Sequence, residues 1–504
     1  MELLNYETIS AGLAVLSDPY VYLLLCFGAL IGLVFGATPG LTAPAAIALV
    51  LPITYGMGIN ASLALLMGVY VSGYFAGSIP AILLNTPGTP GNAASALDGY
   101  PMARKGQGAV ALTSAVVSSF IGVFVSVVLL LTIAPLMARV ALSFTSVEYF
   151  ALAMLGILCV AGISTGSLVK GLAAALFGIL VSTVGLDSNA GVPRFIFGQP
   201  ELMGGVPIIP ALIGLFAIAE MLNQSRGGTA AMQVLEAKGR GSIGQTIALH
   251  VREKVTVIKS ALIGTFVGVL PGTGPAIASW IAYGEAVRTR RQGEEFGKGA
   301  PRGLIAAESA NNAVIGGAMI PLLTLGIPGD PVTAILIGAM IIQGVEPGPF
   351  FMRDHADLFL AVIVILLLSN VAMAVFGLGL RRVIAKVLDV PRYIIVPVVA
   401  VIAATAAYAV SYSGFDILLL GIFGVIGLLM LGHGFPVAAV VLGIVLGPIL
   451  ETNFRNALIA NDMDLTVFIT RPISGGIFLG IIVLTVIWRL KKKRPAEQAQ
   501  DANT

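Results

Sequence analysis

Residues 260–284 read SALIGTFVGVLPGTGPAIASWIAYG, an apolar stretch of 25 residues with Pro271-Gly272-Thr273-Gly274-Pro275 at its centre. As a continuous helix, a stretch this long would cross a bilayer once. Proline inside a helix removes a backbone donor and clashes with the preceding turn, so PGTGP splits the segment into two short halves. Both flanks are basic, 224–259 before it and 286–302 after it. Loops rich in Lys and Arg stay on the cytoplasmic side. One crossing would put one flank on the wrong side. Two half-helices that enter from the cytoplasm, meet at PGTGP and return satisfy both, so a re-entrant hairpin is expected.

The same pattern stands earlier in the chain. Residues 29–40, ALIGLVFGATPG, match residues 261–272, ALIGTFVGVLPG, at seven of twelve positions with an offset of 232. A second pair follows: IPAILLNTPGTP at 79–90 and IPLLTLGIPGDP at 320–331, with six of twelve identical. The chain is one unit written twice, and each copy carries two Pro-Gly interruptions in apolar sequence. Matching interruptions in two halves point to the binding site of a secondary transporter. The first hairpin, 22–54, has no basic residue on either flank and is expected to enter from outside.

Arg104-Lys105, 224–259, 286–302, Arg381 to Arg392 and Arg489 to Arg494 mark cytoplasmic loops, while 1–20, 55–62, 187–206, 345–357 and 451–471 are poor in Lys and Arg and should face outside. Interrupted helices are expected at 61–101 and 303–344. Helices follow near 109–135, 148–165, 168–186 and 207–223, and again near 357–380, 393–410, 416–431 and 436–450. One extra helix is expected at 473–490. Five crossings per unit is an odd number, so the second unit must be inverted. The expected fold is an all-α polytopic membrane protein of two inverted-topology repeats, with about 11 crossings and two hairpins. Its parts are a periplasmic segment 1–21, repeat 1 at 22–223, a cytoplasmic linker 224–257, repeat 2 at 258–450, an extra transmembrane segment at 451–490, and a cytoplasmic tail 491–504.

Composition agrees: of 504 residues 57% are hydrophobic and 11% charged, against roughly 25% charged in soluble domains. The net charge of +3 sits in short loops and says nothing of nucleic acid. Cys26 and Cys159 are isolated in apolar runs, so neither a disulfide nor a metal site is expected. Enzyme signatures are absent. Gly293 to Gly299 falls one residue short of a phosphate-binding loop, and neither G-x-S-x-G nor H-E-x-x-H occurs. No cofactor is expected.

Irregular backbone is tolerated at membrane depth only when buried in protein or lining a watery cavity. The four breaks are Thr38-Pro39-Gly40-Leu41-Thr42, Asn85-Thr86-Pro87-Gly88-Thr89, Pro271-Gly272-Thr273-Gly274 and Gly326-Ile327-Pro328-Gly329-Asp330. Thr89-Pro90, Asp330-Pro331 and Gly274-Pro275 read as helix starts, an N-cap followed by proline. Helix N-termini carry free N–H groups and partial positive charge, which suits a carboxylate. The substrate-binding candidates are therefore Thr38, Pro39, Gly40, Thr42, Asn85, Thr86, Gly88, Thr89, Gly272, Thr273, Gly274, Asn311, Asn312 and Gly329. No Arg or Lys lies in the breaks, and dipoles of up to about 2 kcal/mol each hardly offset desolvation of a di- or trianion. A co-bound Na⁺ or H⁺ would reduce that deficit. Its candidates are Asp330, Gly326, Glu308 and Thr324. Glycines four apart, at 28, 32, 36 and 40 and at 264, 268 and 272, are expected to let the two arms of each hairpin pack closely. Glu148, Lys170, Glu220 and Asp416 lie near predicted helix ends and read as snorkelling side chains.

The segments PGLT, NTPGTPG, PGTGP, ESANNA and GIPGDP, at this spacing, resemble the large permease subunit of the tripartite tricarboxylate transporters, the TctA family. The likeness covers nearly the whole chain. It implies a bacterial inner-membrane carrier with a cytoplasmic C-terminus that works with a small four-helix membrane subunit and a periplasmic solute-binding protein. It also implies cation-coupled uptake of citrate or related carboxylates. The hairpins and broken helices look like those of elevator-type carriers. A carboxylate exporter or channel on the same scaffold is the alternative.

Overall fold

The computed structural model describes residues 6–163, 167–187, 190–226, 235, 243–272, 274–380, 383–384 and 392–491. Thr273 and the tail beyond 491 fall outside them, as do 227–234 and 236–242 of the 224–257 linker. Among the described residues the protein is all-α apart from one antiparallel pair of two-residue strands, Gly185–Leu186 and Pro193–Arg194. Among the described residues, eight helices are long and apolar enough to cross a membrane, and five shorter apolar helices accompany them.

The chain forms two compact units, residues 1–142 with 206–437 and residues 143–205 with 438–504. This division cuts across the sequence repeat, because each unit draws on both copies.

The first unit opens with α1 (Tyr6–Leu13), then α2 (Pro19–Ala37) and α3 (Ala43–Val50) on either side of the first break. Asp18 caps α2 by accepting from Tyr20 N–H at 2.9 Å, with Pro19 at the first helical position. The first interrupted helix is α4 (Ile59–Ala76), α5 (Ser78–Leu84) and, beyond its break, a 3₁₀ turn at Pro90–Asn92 and α6 (Ala93–Met102). A long helix, α7 (Gly108–Ala141), follows. In the second unit come α8 (Ser146–Ile163) and α9 (Leu168–Ser182). The chain then returns to the first unit with α10 (Ile208–Ile213) and α11 (Ala219–Arg226).

Repeat 2 starts after α12 (Ile243–Arg252), a helix that the linker reading did not anticipate. Its hairpin is α13 (Lys254–Val269) and α14 (Gly274–Arg288), and its interrupted helix is α15 (Pro301–Leu325) and α16 (Pro331–Ile342). Then come α17 (Phe351–Asp354), α18 (Ala356–Gly379), α19 (Arg392–Ser411) and α20 (Gly414–Gly432). In the second unit, α21 runs Val437–Ala460, followed by α22 (Val467–Thr470) and α23 (Pro472–Lys491). Helix α21 runs ten residues past its expected end. Its polar continuation is held by an i,i+4 pair, Arg455 to Glu451, and by bonds from Arg194 to Glu451 and from Arg455 to Asp187.

Packing in the first unit obeys the repeat. Helix α2 lies on α4 as α13 lies on α15; α18 lies on α4 as α7 lies on α15. Across the repeats, α14 meets the Pro90–Asn92 turn and α6, and α3 meets α16. The glycine stripes serve a contact other than the expected one. A Cβ on Gly36 would sit 2.3 Å from the Gly73 carbonyl oxygen, and one on Gly268 would sit 2.7 Å from that of Val314. The stripes therefore seat each hairpin against the first half of the following broken helix, not against its own second arm. Small residues at fourfold spacing announce close backbone approach but do not name the partner.

Two charged residues expected to snorkel are buried instead. Glu148 is 3% exposed because it accepts from the N–H and hydroxyl of Thr145 at the start of α8 and pairs with Arg471. Asp416, also 3% exposed, accepts from the Ser411 hydroxyl.

Candidate functional site

The four breaks form a closed ring. The first and second meet at Gly88, where an added Cβ would lie 2.3 Å from the Gly36 carbonyl oxygen. The third and fourth meet at Gly329, with a Cβ 2.5 Å from the Gly268 oxygen, and Gly272 N–H donates to the Gly329 carbonyl at 2.8 Å. The second meets the third where Ser279 of α14 donates to the Gly91 carbonyl at 2.6 Å. The first meets the fourth through the packing of α3 on α16.

Local structure follows from residue type. Asn85 ends α5 with φ +55°, and Gly326, its repeat partner, ends α15 with φ +69°. Asn and Gly are the residues that adopt this left-handed conformation most readily. Thr86 N–H then reaches the Pro80 carbonyl, and Ile327 N–H reaches that of Pro321. Thr38 turns its hydroxyl back on its own helix, to the Val34 carbonyl at 2.8 Å, and Thr324 does the same to Ile320 at 2.7 Å. Thr42 is the N-cap residue of α3 but makes no side-chain cap bond. Gly40 (φ +88°) and Gly274 (φ +63°) have the backbone expected at a break.

The second and fourth breaks end in matched pairs three residues apart. Thr89 donates to Asn92 Oδ1 at 2.5 Å. Asp330 forms a full capping box with Thr333: Oδ1 accepts from Thr333 N–H at 2.8 Å, and Thr333 Oγ1 accepts from Asp330 N–H at 2.9 Å. Each pair is engaged by the broken helix of the other repeat, and each junction buries one carboxylate.

At the fourth break, Tyr70 and Tyr74 of α4 both donate to Asp330 Oδ2 at 2.6 Å. Asp330 is fully buried and its four donors are all neutral. At the second break the acid comes from α15. Glu308 Oε1 accepts from Asn92 Nδ2 at 3.0 Å and from Ser95 Oγ; Oε2 accepts from Ser119 Oγ of α7 at 3.3 Å. Asn312 Nδ2 donates to Ser119 Oγ at 2.7 Å, and Asn311 Nδ2 donates to the Tyr74 carbonyl at 3.2 Å. Glu308 is 0% exposed, so it lies far from the water-facing interface position that its place near the start of α15 would allow.

The structure thus brings Glu308, Asn311 and Asn312 to one junction and Asp330 and Gly329 to the other. Thr324 and Gly326 sit in the last turn of α15 and its cap. Exposure divides the ring: the fourth break is buried throughout, whereas Pro39, Gly40, Thr42, Thr86 and Gly272 are half-buried and Asn85 is exposed. Sequence reading missed Tyr70, Tyr74, Asn92, Ser95 and Ser119, because Tyr and Ser in apolar helices look like packing residues. It also missed Glu220 and Gln224. A Cβ on Gly40 would meet Gln224 Nε2 at 1.8 Å and Glu220 Oε1 at 2.9 Å, so α11 lies against the first break.

Eight helices among the described residues, long and apolar enough to span a bilayer, with broken helices that bury carboxylates at two junctions, define an all-α polytopic membrane protein. The sequence profile of the tripartite tricarboxylate transporter TctA family matches residues 22–442. A 52.8 kDa protein of Agrobacterium vitis, described as uncharacterized and encoded in the TAR-I ttuC' 3' region, is 36% identical over 484 residues, 94% of this chain and 95% of that protein. A second protein of Agrobacterium vitis, from the TAR-II ttuC' 3' region, is 35% identical over 241 residues, 47% of this chain and all of that protein. No solved structure matches the chain. The chain belongs to the TctA family and is a multi-pass membrane subunit of a tricarboxylate transporter.

Proposed function

We propose that this subunit is the permease of a binding-protein-dependent secondary transporter that imports tricarboxylate or related carboxylate anions by Na⁺ or H⁺ symport. It works in the bacterial inner membrane, with its C-terminus in the cytoplasm. A small four-helix membrane subunit and a periplasmic solute-binding protein are its partners. The two repeats are inverted, the helix–break–helix pairs are re-entrant hairpins, and the substrate-carrying part moves in elevator fashion. The observation that carries this reading is the ring of breaks with two cross-repeat junctions, each burying a carboxylate held only by neutral donors. The half-exposed stretches of the ring, around Thr42, Asn85, Thr86 and Gly272, offer hydroxyls and an amide to the anion. A cation or proton held at a buried carboxylate offsets the desolvation of the anion.

The test is uptake of labelled carboxylates into proteoliposomes holding the chain and its partners, under an imposed Na⁺ gradient, a pH gradient or neither. Saturable, gradient-dependent accumulation supports the reading. Accumulation without either gradient, or flux that does not saturate, removes it.

A further inference from the structure

We infer that Glu308 is the centre of a sodium site, completed by Asn92, Ser95, Ser119, Asn311 and Asn312. This rests on the cation-coupled reading above and locates the ion within it.

Three elements meet at this carboxylate: the turn before α6 together with α6 itself, then α7, and α15. Asn311 and Asn312 stand one turn beyond Glu308 on the same helix face. All six side chains are fully buried. The carboxylate receives the Asn92 amide and two serine hydroxyls. Donors aimed at both oxygens suit an ionised acid, not a protonated one. Yet two amide oxygens, Asn311 Oδ1 and Asn312 Oδ1, are buried without a hydrogen-bond partner. Orphaned buried oxygens require an explanation, and an ion is one. Gly91 makes room for the first of them: a Cβ there would lie 2.2 Å from Asn311 Oδ1.

A proton on Glu308 would satisfy at most one of these oxygens. A cation beside the carboxylate satisfies more of them, once the Asn312 amide, which now presents Nδ2 to Glu308, flips to present its oxygen. Asn92 holds the carboxylate through its nitrogen, and the groups left to ligate, one carboxylate, two hydroxyls and two amide oxygens, are all oxygen, which selects a hard ion. A single carboxylate neutralises a monovalent ion and would leave a buried divalent ion with an uncompensated charge. Serine hydroxyls rotate, so Ser95 and Ser119 can turn from donating to ligating. Asp330 contrasts with this arrangement: two tyrosines, one hydroxyl and one N–H already fill its acceptor positions. The repeat has therefore diverged into one closed junction and one open to an ion. The site also reaches the substrate ring. Asn92 accepts from Thr89, the last residue of the second break, so an ion at Glu308 fixes the turn that carries Asn85 and Thr86.

The experiment measures ²²Na⁺ binding to the purified full chain in lipid nanodiscs. Saturable binding at one ion per chain is expected for the wild type. Glu308→Gln should abolish it, and Ser119→Ala, which leaves the carboxylate in place, should weaken it roughly tenfold. Asp464→Asn, at an exposed loop carboxylate, should leave it unchanged. Wild-type affinity in both Glu308→Gln and Ser119→Ala overturns the site, as does the absence of saturable binding to the wild type. Carboxylate uptake that persists under a pH gradient in either case keeps the carrier reading and discards only the sodium site.

Discussion

Replacing Asp330 by Ala tests whether the fourth junction is a structural latch. The substitution strands the hydroxyls of Tyr70 and Tyr74, both of which donate to Asp330 at 2.6 Å inside the protein. Each buried donor left without a partner costs about 1–3 kcal/mol. Loss of the N-cap on α16 adds about 0.5–2 kcal/mol. The sum is roughly 3–8 kcal/mol, comparable to the entire stability of many folded domains, about 5–15 kcal/mol. Tyr70→Phe or Tyr74→Phe removes the donor with its hydroxyl and forfeits one charge-assisted bond, about 1.5–3 kcal/mol. The assay is the fraction of monodisperse protein remaining after a heating series, read by size-exclusion chromatography, beside membrane abundance. Asp330→Ala should be the least heat-resistant of the three and the least abundant. Heat resistance equal to wild type, or greater than that of Tyr70→Phe, would show that Asp330 does not bind the two repeats together.

Gly88→Ala and Gly329→Ala place a methyl within 2.5 Å of a backbone carbonyl. The overpacking should cost about 1–3 kcal/mol and cut uptake per membrane-inserted chain, measured by transport normalised to immunoblot. Asn85→Gly should be nearly neutral in thermal stability, whereas Asn85→Ala should lose about 1–2 kcal/mol because alanine resists the left-handed conformation. Arg302 joins α13 and the 289–294 loop through Thr256, Thr289 and Glu294. Arg302→Ala should therefore speed tryptic cleavage after Arg290 and Arg291, followed by gel electrophoresis. Equal cleavage rates would mean that the loop is held by other contacts.

Much of this was legible because Pro-Gly in an apolar run has few physical meanings. The four helix breaks and the Asp330 cap stand where their signals lie, within a few residues. The paired placement of Asn85 and Gly326 followed from two sequences at a constant offset. Partners were less legible. The glycines at 28, 32 and 36 declared a tight contact, but nothing in a stripe says that α4 is what it touches. Tyr70 and Tyr74 sit in a run indistinguishable from core, and their role appears only once Asp330, 256 to 260 residues away, is placed beside them. Glu308 was legible as a cation candidate, but not its burial, which depends on helices α6 and α7 from the other repeat. Glu220 looked like a helix-end charge until α11 was seen lying on the first break.

The inverted repeat is the premise on which the ring, the carrier reading and the ion site all depend. Its most direct test is membrane-impermeant thiol labelling of single cysteines at Tyr55 and Gln292, in a background with Cys26 and Cys159 replaced. The two positions flank equivalent ends of the two hairpins. Labelling from opposite faces of the membrane, Tyr55→Cys from outside and Gln292→Cys from the cytoplasm, is the predicted result. Labelling of both from one face would contradict the account.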